Sequence, residues 1–168
     1  IRVCKEHPER LIPLATLNPR QTIDLHEAVE KIADSGFKIV GFFPTYQAWS
    51  LGLYCFEKAV LEVAGSGLVP LLTLGGDPAG ASSQTEFDGS VQLAHVSRVA
   101  RLLRKFDSPI IVRWMEGAGY LLTAEYVALG KDFSNLYFDM GNMVTIGSIE
   151  LLIDEIGADR IVYGSNTP

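Results

Sequence analysis

Apolar runs and helical patterns alternate along most of the chain. Six short runs are almost wholly apolar, and their length and branched residues are typical of strands that are buried on both faces. Between them lie stretches in which apolar residues recur every three or four positions, the spacing of an amphipathic helix. The predicted strands are residues 11–17, 37–43, 67–74, 108–114, 135–140 and 161–164.

The predicted helices occupy the gaps between these strands. The first begins at an N-cap, Thr22, and stops at Gly36, and the second ends at about residue 64. The later helices are predicted at residues 91–106, 121–129 and 148–157, with Ser148 as the cap of the last. One long irregular stretch, residues 75–90, is rich in Gly, Ser, Asp and Ala and is a candidate lid.

Strands and helices that alternate in this way imply a parallel α/β sheet with right-handed crossovers, in a single domain over residues 1–168. Two architectures fit six β-α units: a doubly wound open sheet, and most of a (β/α)8 barrel. A dinucleotide-binding sheet would carry G-x-G-x-x-G after its first strand, where this chain has LNPRQT. The sequence also lacks the phosphate-binding motif G-x-x-x-x-G-K-[ST]. The absence of both motifs argues against a nucleotide-binding protein.

Charge and composition narrow the class of partner. The 168 residues carry a net charge of −6, which argues against nucleic acid and against an anionic membrane surface. No apolar run approaches the length of a membrane span, of roughly 18 residues or more. The two cysteines, Cys4 and Cys55, have no metal-type spacing and favour a reducing compartment, so we expect a cytoplasmic protein.

Six local phrases occur in the order in which the amidohydrolase superfamily has them: ATLNP, GFKIVGFFP, GLVPLLTLGG, PIIVRWMEGAG, NLYFDMG and GADRIVYGSNTP. The chain most resembles the amidohydrolase 2 branch, which includes aminocarboxymuconate-semialdehyde decarboxylase-like and related metal-dependent hydrolases. The resemblance implies a (β/α)8 barrel of TIM type. It also implies that the six predicted strands are the last six. Because the chain starts at Ile1 and not at a methionine, and ends at the tip of a predicted strand, we expect the domain to be incomplete at both ends.

The resemblance also implies a metal centre, and this sequence departs from it. Members of the family hold Zn or another divalent metal with a His-x-His on the first strand, histidines on the fifth and sixth strands and an Asp on the eighth. The last three positions fall on Leu74, Trp114 and Asn166. Leucine has no lone pair, indole offers only an N–H donor, and an amide carries no charge. We therefore expect no metal and no other cofactor.

The three histidines support this expectation without the resemblance. His7 lies in a charged segment, and His26 and His95 lie on the polar or flanking sides of predicted helices. None follows a predicted strand, so we expect all three on the surface.

The predicted barrel mouth is built from indole, amide and aliphatic groups. If Trp114 points into the barrel, alternation along the strand also turns Val112 and Ile110 inward and Arg113 toward the helices. Such a mouth suits an uncharged or aromatic ligand. A core position for Trp114 is the alternative. The candidate ligand-binding residues are Trp114, Leu74, Asn18 and Asp77.

The candidate catalytic residues follow the ends of predicted strands and are Asn166, Glu116 and Asp139. The two carboxylates could form an acid/base pair, or each could cap the helix that follows it. Asn166 could orient a ligand or serve only in a turn, and a turn is also the alternative for Asp77.

Two functions remain open at this stage. The first is an amidohydrolase-like barrel without a metal, which binds a small molecule or carries out metal-independent hydrolysis or decarboxylation. The second is an active metal-dependent hydrolase whose remaining ligands lie upstream of residue 1 or on a partner chain. Six strands cannot close an eight-stranded barrel, so we also expect further chain or a homo-oligomer to cover the sheet edges.

Overall fold

The computed structural model describes residues 2–44, 47, 49–74, 97–105, 107–114, 119–141 and 146–164. Six strands form one sheet in which all neighbours are parallel and the spatial order equals the chain order. This order fits a (β/α) barrel, because the strand order of a doubly wound sheet reverses at a switch point. The strands are β1 (Leu14–Thr16), β2 (Ile39–Phe42), β3 (Val69–Leu74), β4 (Ile110–Trp114), β5 (Leu136–Asp139) and β6 (Ile161–Val162).

Helices alternate with these strands, as the periodicity predicts. They are α1 (Arg2–Glu6), α2 (Leu25–Asp34), α3 (Tyr54–Gly65), α4 (residues 97–103), α5 (Gly119–Asp132) and α6 (Ser148–Ile156). The short helix α1 is not among the predicted elements, and the candidate lid at residues 75–90 lies outside the described residues. None of the helices in the described ranges has the length and apolar character needed to cross a membrane.

The start of α2 differs from the prediction. Asp24 caps the helix, because its carboxylate accepts a bond of 3.0 Å from the backbone N–H of Glu27. The predicted cap, Thr22, instead donates its hydroxyl to the carbonyl of Asn18 in the preceding turn. The end is as predicted, since Gly36 follows the helix with a φ of +83°, which favours glycine.

The start of α6 also differs. Gly147 is the N-cap residue, with a φ of +82°, and the predicted cap Ser148 is already the first helical residue. Ser148 is buried, so the residue that the pattern assigned to an exposed cap is packed inside the protein.

The helices cover one face of the sheet. Alternate strand residues on this face, including Val40, Phe42, Leu72 and Phe138, join helix residues such as Val60 in one hydrophobic core. The other face is also buried at Leu71 and Ile111. Burial on both faces agrees with the continuous apolar character of the strands. The edges of this sheet are β1 and β6, and that further chain or a second copy covers them stays a prediction.

Arg160 joins the ends of two helices. Its Nη1 donates to the carbonyl of Gly130, at 2.5 Å, and to that of Phe133 at the end of α5. Its Nε and Nη2 both donate to the carbonyl of Ile156, the last residue of α6. The last carbonyl groups of a helix accept no hydrogen bond within the helix. The guanidinium of Arg160 therefore provides hydrogen bonds for carbonyl groups at the ends of both α5 and α6.

Arg160→Ala is therefore expected to lower the free energy of unfolding by about 2 kcal/mol, the upper range for hydrogen bonds to a charged group. Urea unfolding followed by circular dichroism measures the change. The control is Arg104→Ala, which removes an exposed arginine and should stay within about 0.5 kcal/mol of the parent. Equal effects of the two substitutions would contradict the assigned role.

Candidate functional site

Three polar side chains lie near the carboxyl ends of adjacent strands. Thr73 is opposite Arg113 across β3 and β4, and Arg113 is opposite Asp139 across β4 and β5. Their exposed fractions are only 2%, 7% and 2% respectively. In (β/α) barrels the carboxyl ends of the strands carry the functional groups. We call Thr73, Arg113 and Asp139 the strand-end cluster and take it as the candidate site.

The strand-end cluster lies on the face that points away from the helices. Leu72, Val112 and Phe138 each precede a cluster residue by one position, and all three pack in the helix-side core. Because successive strand side chains point to opposite faces, the cluster residues must point to the other side. In a closed barrel that side is the interior.

The predicted orientation of β4 is wrong by one residue. Ile110 and Val112 pack against the helices instead of pointing inward, and Arg113 lies on the interior face instead of the helix side. The physical reason is the carboxylate of Asp139 on the next strand, which neutralises Arg113 on that face alone. The side chain of Trp114 is outside the described part of the chain.

The same correction applies to β3. Leu74 was expected at the pocket rim in the place of a metal ligand, and the structure buries its side chain in the helix-side core. The interior residue at this strand end is Thr73, its neighbour in sequence. The interior residue at the end of β3 is therefore Thr73 and not Leu74, and Thr73 lies opposite Arg113 on β4.

Arg113 and Asp139 form a buried ion pair. The Nε of Arg113 donates to Oδ2 of Asp139 at 2.6 Å, and Nη2 lies 2.5 Å from the same oxygen. A guanidinium cannot be deprotonated in a protein, so the positive charge at this point is permanent. A buried charge of this kind is tolerated only with a partner in good geometry.

The second oxygen of Asp139 holds the backbone of two strand ends. Oδ1 accepts bonds of 2.9 Å from the backbone N–H groups of Gly141 and Gly164. A carboxylate has about four lone-pair sites, and these four bonds use all of them. The ends of β4, β5 and β6 are therefore fixed by one side chain.

Both glycines are required by this close packing. A Cβ on Gly164 would collide with Arg113 Nη2 and with the carboxylate of Asp139. A Cβ on Gly141 would collide with the carbonyl oxygen of Gly164. The glycines in the phrases NLYFDMG and RIVYG thus allow the backbone to approach the ion pair.

The hydroxyl of Thr73 has no hydrogen-bond partner among the described residues, although the side chain is buried. Buried polar groups are nearly always bonded, so an unsatisfied one on an interior face marks a place where a ligand or water can bind. Thr73 lies one strand away from Arg113, a spacing of about 4.8 Å in a sheet.

The remaining predicted residues are distributed as follows. Asn18 follows β1, and its side-chain oxygen accepts a bond from the backbone N–H of Arg20, so it fixes a turn. Its ligand-binding role stays a prediction. The predicted residues Asp77, Glu116 and Asn166 lie outside the described residues, and their roles are untested.

The described histidines are on the surface, as expected. His7 and His26 are exposed, and His95 lies outside the described residues. His26 Nδ1 lies 2.7 Å from Glu62 Oε1, which joins α2 to α3. The hydrogen bond that His26 donates to Glu62 and the charge of Glu30 raise the pKa of His26 above its ordinary value.

No three His, Cys, Asp or Glu side chains of the described residues converge as a metal site would require. The only carboxylate of the strand-end cluster is Asp139, and its oxygens are already bonded. The guanidinium of Arg113 is paired with this carboxylate, so a cation would have to displace it in order to bind there. The residues of this cluster therefore do not fit a divalent metal.

Several solved structures are similar to this chain in fold. A TIM-barrel protein from Bordetella bronchiseptica superposes with a TM-score of 0.68 at 15% identity over 97% of this chain. A proposed amidohydrolase from Staphylococcus aureus gives 0.66 at 16% identity over 99%. The 5-carboxyvanillate decarboxylase of Novosphingobium aromaticivorans, solved with manganese and a nitrobenzoic acid, gives 0.62 at 14% identity over 97%.

The fold is that of a TIM barrel. At these identities the likeness shows the fold alone, and the chain spans only 56% to 65% of the length of the three proteins. No family model matches the sequence, and no curated protein is significantly similar to it.

Substitutions of Arg113 and Asp139 test whether the two side chains form a buried ion pair. Asp139→Asn or Arg113→Met should each lower the free energy of unfolding by about 3–5 kcal/mol, because each leaves an uncompensated buried group. The double variant Arg113→Met/Asp139→Asn should cost less than the sum of the two single losses, since it leaves no unpaired charge. A double-mutant cycle by denaturant unfolding measures the coupling.

Asp107→Asn is the matched control for this cycle, because it makes the same change on an exposed carboxylate. A loss below about 1 kcal/mol for Asp139→Asn would contradict a buried pair.

His26 should titrate above its ordinary pKa of about 6.5, and Glu62→Gln should lower that pKa. Because the folded pKa is raised, the stabilisation is fully present below the unfolded pKa and is lost as the pH rises through the folded value. NMR titration of the imidazole protons measures both pKa values. An unchanged pKa in the Glu62→Gln variant would exclude Glu62 as the main cause.

Proposed function

We propose that the protein is an amidohydrolase-like barrel that binds a small organic molecule at its mouth without a metal ion. The observation that carries this proposal is the Arg113–Asp139 pair on the interior face at the strand ends. The guanidinium occupies the carboxylate of Asp139, the one acidic group of the strand-end cluster, so that carboxylate is not available to bind a divalent cation.

The bonding of Asp139 supports a positioning role for this residue. A general base must have a lone pair within reach of the proton that it takes. Both oxygens of Asp139 are occupied by Arg113 and by the backbone of two strand ends. The catalytic role predicted for Asp139 is therefore replaced in this proposal by one of holding Arg113 and the mouth in place.

The ligand class follows from the groups that remain. The hydroxyl of Thr73 is a hydrogen-bond donor without a described partner, and Arg113 lies on the next strand. Two neighbouring donors favour a ligand with an oxygen acceptor, such as a carbonyl or carboxylate group. This supports binding of a small molecule that carries an oxygen acceptor, whereas the sequence led us to expect an uncharged or aromatic ligand.

A second function is favoured by one comparison. The decarboxylase from Novosphingobium aromaticivorans was solved with manganese bound and shares this fold. In this alternative the protein is a metal-dependent hydrolase or decarboxylase, with ligands among residues outside the described ranges or from other chain. Glu116, Asp77 and Asn166 are the residues of this sequence that such a site would use.

Metal content separates the two functions. After dialysis against excess Zn²⁺ or Mn²⁺ and then buffer, we expect the protein to hold well below one metal ion per chain by elemental analysis. Arg113→Ala serves as a comparison, because it removes the partner of the Asp139 carboxylate and leaves that group able to bind a cation. About one ion per chain in the parent, lost in Asn166→Ala or Glu116→Ala, would support the metal-dependent alternative and contradict the proposal.

A further inference from the structure

Three neighbouring helices, α4, α5 and α6, present different chemistry on the outer surface of the protein. Because the strands follow one another in chain order, the helices that connect them lie in the same order around the sheet. α5 and α6 are in contact, and Lys131 of α5 forms an ion pair with Glu155 of α6. The outward sides of the three helices therefore form one surface, on the opposite side of the sheet from the strand-end cluster.

The outward side of α4 is basic. The buried residues of this helix are Val99, Leu102 and Leu103. At about 100° per residue, Arg101 and Arg104 lie on the opposite side, and both are exposed. Neither guanidinium forms an ion pair within the part of the chain that the structure describes, whereas Lys105 is bonded to Glu57 of α3. We call Arg101 and Arg104 the basic pair.

The outward side of α6 is acidic. The buried residues of this helix are Ser148, Leu152 and Ile156. The same rotation per residue places Glu150 and Asp154 on the opposite side, where both are exposed. Neither carboxylate forms an ion pair with another described residue, whereas Glu155 is neutralised by Lys131. We call Glu150 and Asp154 the acidic pair.

An apolar strip separates the two pairs. α5 exposes Ala124 and Ala128, which are one turn apart and lie on the side opposite the buried Tyr126. Leu151 is 42% exposed and lies on the side of α6 that faces α5, because it is one turn before Glu155. Across the three helices the surface therefore changes from positive to apolar to negative.

Such a surface is complementary to itself under a two-fold rotation. An axis that runs parallel to the helices and over α5 would bring α4 of each copy opposite α6 of the other. Each basic pair then meets an acidic pair, and the two α5 helices meet at the axis, where alanine side chains allow a close approach. The flanks of α5 follow the same symmetry, because Lys131 lies toward α6 and Glu125 and Asp132 lie toward α4.

We propose that the outer surface of α4, α5 and α6 is a homodimer interface, and that its occupant is a second copy of this chain. An apolar centre between oppositely charged margins is the usual arrangement of such an interface, and the paired charges offset the repulsion between two copies of net charge −6. The three helices cover about 30 Å by 20 Å, which is small for a specific interface, so the dimer is weak.

This interface involves neither the strand-end cluster nor the edge strands β1 and β6. Its test is therefore independent of the function proposed above and of what covers the sheet edges.

Sedimentation equilibrium of the whole chain tests the proposal. We expect a monomer–dimer equilibrium with a Kd of about 50 µM at low salt, which rises at least about threefold in 0.5 M NaCl. Arg101→Glu/Arg104→Glu should weaken the dimer at least about tenfold, and so should Glu150→Arg/Asp154→Arg, because each brings like charges together. An equimolar mixture of these two variants should dimerise again, with a Kd within about threefold of the parent.

The matched control is Lys31→Glu/Lys38→Glu, which makes the same change of charge at exposed residues away from the three helices. It should leave the Kd of the dimer within about threefold. Its mixture with Glu150→Arg/Asp154→Arg should form no heterodimer, which separates the designed contact from general attraction between oppositely charged chains. Circular dichroism checks that every variant is folded.

Three results would overturn the proposal. The first is a parent chain that stays monomeric up to about 300 µM. The second is a dimer whose Kd is unchanged in both reversed variants, as association through the sheet edges would give. The third is a mixture of folded reversed variants that does not dimerise. Assembly beyond two copies would also contradict a closed two-fold interface.

Discussion

The candidate site depends on one buried ion pair. Arg113 and Asp139 lie on neighbouring strands, at opposed positions of the ladder, and each is almost fully excluded from solvent. Removing either charge would leave the other without compensation in a place that water does not reach. The pair therefore fixes which face of β4 and β5 points into the barrel.

This constraint extends from the pair to the surrounding backbone. Asp139 binds two glycine N–H groups in addition to Arg113, so the ends of β4, β5 and β6 are held by one carboxylate. The glycines leave no room for a side chain at this point. The same bonding occupies both oxygens of Asp139, which disfavours this carboxylate as a proton acceptor.

Much of the fold could be predicted from the sequence. All six strands fall within the predicted runs, because strands buried on both faces are apolar throughout and stand out from their surroundings. Because every position of such a strand is apolar, the sequence does not show which side chains point inward and which point toward the helices. In β4, Ile110, Ile111 and Val112 are all apolar, so alternation gives no contrast and the inward set was placed one residue away from its true position.

A signal for the correct orientation was nevertheless present. Arg113 and Asp139 are the only charged residues inside their predicted strands, and buried charges require partners. Their separation of 26 residues makes the pairing a tertiary property that no local pattern contains. The N-caps of α2 and α6 were predicted at the wrong residues, because capping also depends on contacts outside the helix. Thr22 bonds to a turn and Ser148 is buried, and both depend on neighbours outside the helix.

The central claim is that the partner of the Asp139 carboxylate at the strand ends is a guanidinium and not a metal ion. Anomalous X-ray diffraction at the zinc and manganese absorption edges, from crystals of the protein soaked in each metal, tests it most directly. The account requires no anomalous peak within bonding distance of the Asp139 carboxylate, with density for the Arg113 guanidinium there instead. A full-occupancy peak bonded to that carboxylate would contradict it.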